Sequence, residues 1–250
     1  MRELRRQMPS EPIFFVADQA HVPYGPRPMD EIRLFSYGIT RFLLTQGADL
    51  IVVACNTASA AALKPLRAEF AGVPFVGMEP AVKPAAESTR SGVVGVLATP
   101  ATFQGELFAS VVERFGQGVR LVSQTVPGLV EQIEAGRLDT PETEDIIRRA
   151  LEPILEAGAD TIVLACTHYP FVIPVIQRLA GAGVVVIDPA PAIARQAARL
   201  RSQLHGAPHA ALTLVSTGDP QALLAASRRL IDEGESAVQA MWSADDLSLI

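Results

Sequence analysis

Apolar residues along this chain gather into short β-branched runs separated by stretches at helical spacing. Residues 13–17, 50–54, 73–77, 93–98, 161–165 and 184–187 are continuous rather than alternating, which predicts buried strands of parallel sheets. Between the first two runs, Ile32, Phe35, Ile39, Phe42 and Leu43 fall on one face of a helix. Residues 58–69 read as the next helix. Ile146, Ile147, Ala150, Leu151, Ile154 and Leu155 mark another, stopped by Gly158. A strand at 211–215, a Gly218-Asp219-Pro220 turn and a final helix through Leu230 close the pattern. Alternation of this kind predicts an α/β fold with mainly parallel sheets covered by helices.

The strand ending at Cys55 has a counterpart. Gly47-Ala48-Asp49-Leu50-Ile51-Val52-Val53-Ala54-Cys55 matches Gly158-Ala159-Asp160-Thr161-Ile162-Val163-Leu164-Ala165-Cys166 at seven of nine positions. Each copy follows a helix and is followed by a helix and a second strand, and those second strands run into Glu79-Pro80 and Asp188-Pro189. Two pseudo-symmetric α/β halves are expected: residues 1–91 with 188–250, and residues 92–187. Each cysteine then stands at the carboxyl end of a strand, where open α/β sheets bind ligands. The symmetry also asks for a strand and turn before 13–17. Residues 1–8 already read as the helix that should follow them, with Leu4 and Met8 facing a core. The expectation is that this strand, with its turn about 20 residues at ordinary element lengths, is missing.

Charge and composition narrow the classes. A net charge of -6, with no Lys/Arg stripe interleaved with aromatics, argues against nucleic acid or an anionic membrane as partner. No apolar run approaches a membrane span, and no apolar signal core follows the basic first residues, so a cytoplasmic protein is expected. Two cysteines without an export signal disfavour a disulfide framework. Cys166-Thr167-His168 invites a zinc reading, but neither CxxC nor HExxH occurs and too few ligands are at hand, so no metal is expected. Neither a P-loop nor a GxGxxG run supports nucleotide binding.

A lone cysteine after an apolar strand is ordinarily an inert core residue. Two, at equivalent points of two halves, suit a different chemistry. One thiolate can take a proton from one face of a carbon while the partner thiol returns one to the other face. Asn56, Thr57 and Thr167 lie where helices begin, and Thr99 and Thr102 follow the strand at 93–98. All can hold a carboxylate, and all can equally cap a helix. His168 can poise Cys166 or be a satisfied, partly buried histidine. Pro23-Tyr24-Gly25 can be an ordinary turn.

Ala54-Cys55-Asn56-Thr57-Ala58-Ser59 and Ala165-Cys166-Thr167-His168-Tyr169-Pro170 resemble the glutamate racemases of the aspartate/glutamate racemase superfamily. Val22-Pro23-Tyr24-Gly25, Ala98-Thr99-Pro100-Ala101-Thr102, Pro127-Gly128-Leu129-Val130-Glu131 and Thr217-Gly218-Asp219-Pro220 extend the resemblance along nearly the whole chain. It implies two α/β domains with the active site between them, no pyridoxal phosphate or other cofactor, and an isomerase interconverting L- and D-glutamate for bacterial peptidoglycan. The residue matching Cys55 would take the proton from D-glutamate and that matching Cys166 from L-glutamate, with His168 assisting. Pro23, Tyr24, Gly25, Asn56, Thr57, Thr99, Thr102, Glu131 and Thr167 would position the substrate. A homodimer is left open, as are an aspartate racemase, a related decarboxylase and a non-catalytic amino-acid-binding relative. The chain departs from the family at Val126, where members have cysteine, and in lacking their opening strand and Asp-Ser-Gly turn.

Overall fold

The strands expected at Ile13–Ala17, Val93–Ala98 and Thr161–Ala165 form with those bounds in the computed structural model, which describes residues 1–204 and 211–250. The order begins α1 (Arg2–Gln7), β1 (Ile13–Ala17), α2 (Met29–Thr45), β2 (Ile51–Val53), α3 (Asn56–Glu69), β3 (Phe75–Gly77) and α4 (Val82–Ser88). It continues with β4 (Val93–Ala98), α5 (Pro100–Gln104), α6 (Glu106–Phe115), β5 (Arg120–Thr125), α7 (Leu129–Glu134), α8 (Pro141–Glu156) and β6 (Thr161–Ala165). After a 3-10 turn at Tyr169–Val172 come α9 (Ile173–Ala180), β7 (Val185–Ile187), α10 (Ala190–Arg201), β8 (Leu212–Ser216), α11 (Pro220–Ile231), β9 (Ala237–Ser243) and β10 (Asp246–Leu249). Among the described residues no helix is long and apolar enough to cross a membrane.

These elements form two units. One comprises Met1–Ala54, Ala61–Gly77 and Ala190–Ile250; the other comprises Cys55–Ala60 and Met78–Pro189. The tail after Pro189 therefore groups with the start of the chain. The divide falls after Gly77 rather than after residue 91, because α4 packs on β6 and α6. In the first unit β1, β8 and β9 run parallel and β10 returns antiparallel, while β2 and β3 form a separate parallel pair. Leu43 of α2 packs against the apolar groups over both sheets. The chain does not end on the expected helix. Residues 237–243 are a half-buried strand that extends the sheet beside β8, and β10 folds back on it.

The second unit is one parallel sheet in the order β5-β4-β6-β7. All five residues of β6 are buried. One face of the sheet packs Leu97, Ile162 and Leu164 against Ile147, Leu151 and Ile154 of α8 and Ile176 of α9. The other packs Val94, Val96 and Val163 with Ala85 of α4. Helix α8 starts where the Thr140 hydroxyl accepts from Thr143 N at 3.2 Å, with Pro141 in its first turn, and the chain leaves it through Gly158 at φ 81. Strand β5 was not foreseen. Its sequence, Arg-Leu-Val-Ser-Gln-Thr, is that of a partly exposed edge strand.

Two positions set how tightly this unit closes. A Cβ on Gly95 would lie 2.4 Å from Cγ2 of Ile154, a stiff β-branched side chain that is fully buried. Gly95→Ala should therefore destabilise the protein by about 1–3 kcal/mol, read as a lower melting temperature. The Asp160 carboxylate accepts from Thr89 Oγ1 (2.6 Å), Arg90 N (2.8 Å), Ser91 N (2.9 Å) and Thr161 Oγ1 (3.1 Å). These bonds, Thr89 foremost, hold it well below the usual carboxylate range against the opposing effect of burial. A depressed folded value gives stability that is complete above the unfolded value near ~4 and is lost as pH falls through the folded one. Asp160→Asn should cost about 1 kcal/mol at neutral pH, allowing for solvent screening, and its gap from the parent should begin to narrow below about pH 4 and go on narrowing toward the folded value. An undiminished gap in melting temperature at acid pH would contradict this.

Candidate active site

Polar side chains collect where the strands β6 and β2 end. Cys166 follows β6 directly and is buried. Its carbonyl accepts from Tyr169 N at 3.2 Å, turning the chain into the 3-10 turn and placing His168 beside the sulfur. His168 Nδ1 lies 4.0 Å from Cys166 Sγ, and its Nε2 lies 2.6 Å from Glu134 Oε1, at the end of α7. Burial pulls the His168 value down, but the bonds to Cys166 and Glu134 and their charges outweigh it and raise it to about 10. The imidazole is thus a cation at neutral pH. Glu131, one helical turn before Glu134, acts on Tyr169 through its charge. Burial first, then the charges of Cys166 and Glu131, hold that phenol well above its ordinary value.

Cys55 occupies the capping position of α3. Its carbonyl accepts from Ser59 N at 2.9 Å, and its sulfur accepts from Ala58 N at 3.4 Å. Helix-start amides favour a thiolate. Desolvation wins here, and with the charge of Cys166 it pushes the Cys55 thiol up to about 11. Cys55 keeps some contact with solvent, so this desolvation comes from the protein packed around its sulfur. Asn56 is 2% exposed, and neither its Nδ2 nor its Oδ1 has a hydrogen-bond partner within the protein. Native proteins rarely leave such an amide unmatched. Beside it, Thr57 Oγ1 lies 2.8 Å from Thr99 Oγ1 and 3.4 Å from Thr102 Oγ1, and Thr99 and Thr102 are 3.0 Å apart. Thr99 also caps α5. Ser59 Oγ accepts from Met78 N at 2.9 Å, fixing the first turn of α3 against the segment after β3.

The family model of the Asp/Glu/Hydantoin racemases matches residues 1–197. A glutamate racemase of Roseiflexus sp. (strain RS-1) is 50% identical over 230 residues, 88% of this chain and 83% of that one. One from Pseudomonas aeruginosa is 45% identical over 246 residues, 98% of this chain and 90% of that one. The chain belongs to the glutamate racemase family. A solved glutamate racemase isoform of Bacillus anthracis shares its fold with a TM-score of 0.86 at 27% identity, covering 98% of this chain and 92% of that one. The Escherichia coli glutamate racemase, solved with L-glutamate and the activator UDP-MurNAc-ala, gives a TM-score of 0.84 at 28% identity, covering 100% and 93%.

Within this member of the glutamate racemase family, Cys55, Asn56, Thr57, Thr99, Thr102, Glu131, Cys166, Thr167 and His168 all belong to the second unit. Pro23, Tyr24 and Gly25 belong to the first, in the loop before α2. Among the described residues no three His, Cys, Asp or Glu gather as a metal site. Sequence reasoning did not name Glu134. The available signal was its place three residues after Glu131, on the last turn of a short helix before Gly136. Glu134→Gln should remove a charge and a bond that raise His168, so the value of that histidine should fall from about 10 toward ~6.5. NMR titration of the imidazoles measures this, and an unmoved His168 would contradict the assignment. Because the folded value is raised, the associated stability is complete below about pH 6.5 and disappears as pH passes about 10.

Proposed function

We propose that this chain interconverts L- and D-glutamate without a cofactor, by moving the Cα proton between Cys55 and Cys166. The observation that carries the reading is a pair of free cysteines in one unit, each at the exit of a repeated strand. In one direction a Cys166 thiolate takes the Cα proton from L-glutamate and the Cys55 thiol donates its proton to the opposite face. The reverse exchanges their roles. A Cys55 held near 11 is a thiol at neutral pH, ready as the acid. The His168 cation, backed by Glu134, is available to pair with the charge of a thiolate at Cys166.

The remaining polar groups suit an amino-acid substrate. The unmatched Asn56 amide offers both a donor and an acceptor, and the hydroxyls of Thr57, Thr99, Thr102 and Thr167 offer more. Pro23, Tyr24, Gly25 and Glu131 complete the proposed substrate set. We place the activity in the cytoplasm, where free thiols stay reduced, supplying D-glutamate for peptidoglycan and hence for cell-wall growth and shape.

In deuterated water the product should carry solvent deuterium at Cα while unreacted substrate at first carries none. Cys55→Ser and Cys166→Ser should each lower turnover of D-glutamate by about 10²–10⁴-fold, measured by circular dichroism without added cofactor. Full activity in either variant, or activity on aspartate alone, would refute the assignment.

A further inference from the structure

At the carboxyl ends of β1 and β8 sits a buried carboxylate that the proposed proton transfer does not use. The Asp18 side chain is 5% exposed. Its Oδ1 accepts from Thr217 Oγ1 at 2.8 Å and Trp242 Nε1 at 2.9 Å, and its Oδ2 accepts from Tyr24 Oη at 2.5 Å. His21 Nδ1 approaches both oxygens, at 2.9 and 3.1 Å, and must carry the proton because a carboxylate only accepts. Four donors drawn from three stretches of chain therefore fill one side chain. They are the loop after β1, the end of β8 and the terminal hairpin β9–β10.

The hairpin is docked so that it can reach. Gly38, in the middle of α2, has no Cβ; one placed there would lie 2.5 Å from both Trp242 Cζ3 and the Asp245 carbonyl. A glycine inside a helix weakens it, and here it admits the indole. Phe35, nearly one turn earlier, stacks on His21 at 3.7 Å and 9° and tilts against Trp242 at 5.8 Å. Arg27 then ties the loop to itself, donating from Nε to His21 O at 2.6 Å and from N to Tyr24 O at 3.0 Å. Since the Tyr24 hydroxyl donates to Asp18, it can meet a ligand only through its lone pairs or through the backbone it fixes.

We propose that Asp18 is a positioning residue for substrate binding. Through Trp242 and Thr217 it makes the C-terminal hairpin a strut that holds Tyr24 and Gly25 in their binding conformation. The inference rests on the assignment of that loop to glutamate binding. It differs from a purely structural role in what it predicts, because a misplaced binding loop weakens substrate affinity and leaves the proton-transfer thiols intact.

The test compares Asp18→Asn and Trp242→Phe with the parent. The second variant removes the indole N–H and part of the ring but keeps an aromatic side chain and leaves Asp18 in place, so it serves if the first folds poorly. Both should raise KM for D-glutamate about tenfold, the effect of losing a well-placed hydrogen-bonded group, while kcat stays within about twofold. Without substrate, amide hydrogen exchange in residues 19–27 should quicken in both variants while that of β4 and β6 stays unchanged. Unchanged KM with unchanged exchange, or lost kcat at unchanged KM, would overturn the proposal. Faster loop exchange in the variants, with a parent protein that does not act on glutamate, would support the strut and refute the racemase reading instead.

Discussion

The packing of β6 constrains everything that follows it. With β4 and β7 paired on either side and helices on both faces, residues 162–165 are apolar side chains whose backbone is committed to the ladder, and Thr161 turns its hydroxyl back to Asp160. Any side chain that handles charge must wait for the strand to end, and Cys166 is the first residue that can. The turn by which the chain leaves the sheet brings His168 next to the sulfur, and α7 brings Glu134 to the other nitrogen of the imidazole. The site is thus a by-product of how a buried parallel strand stops, and its polar groups inherit the rigidity of the sheet below them.

The two copies of the Gly-Ala-Asp repeat fold alike but do different jobs. Ile51 pairs with Phe75 as Ile162 pairs with Val186, so strand order and direction are preserved. Beyond that they diverge. Asp160 gathers four donors and anchors the chain entering its unit, whereas Asp49 is exposed and lies 3.5 Å from Arg201. Strand β6 has neighbours on both sides, whereas among the described residues β2 pairs only with β3. The two sulfurs inherit this divergence: one meets a histidine–glutamate pair, the other a helix start and a cluster of threonines.

What could be read from the sequence follows from how each signal arises. Continuous apolar runs made β1, β4 and β6 readable to the residue, whether the strand is buried throughout, as β6 is, or half-buried at the edge of its sheet, as β1 is. Strand β5 and the β9–β10 hairpin were missed because edge and half-exposed strands mix polar with apolar residues and depend on a neighbour that no local pattern reveals. The cysteines and the residues beside them stood out as candidates because the repeat marked them. Glu134 and Asp18 did not, since a carboxylate on a short helix or after a strand is commonplace, and only the fold brings donors to it from 34 or 224 residues away.

The unequal surroundings of Cys55 and Cys166 meet a thermodynamic limit. Mirror-image substrates have equal free energy in water, so detailed balance requires a racemase to have the same kcat/KM in both directions at every pH. A thiol pushed up to about 11 on one side and a cation beside its partner on the other cannot tilt that ratio. Their asymmetry can appear only under saturation, as a kcat and a KM that rise or fall together for one enantiomer. A cell that draws off one product continually can exploit such a difference, because flux at high substrate then depends on which thiol holds the proton when the substrate arrives.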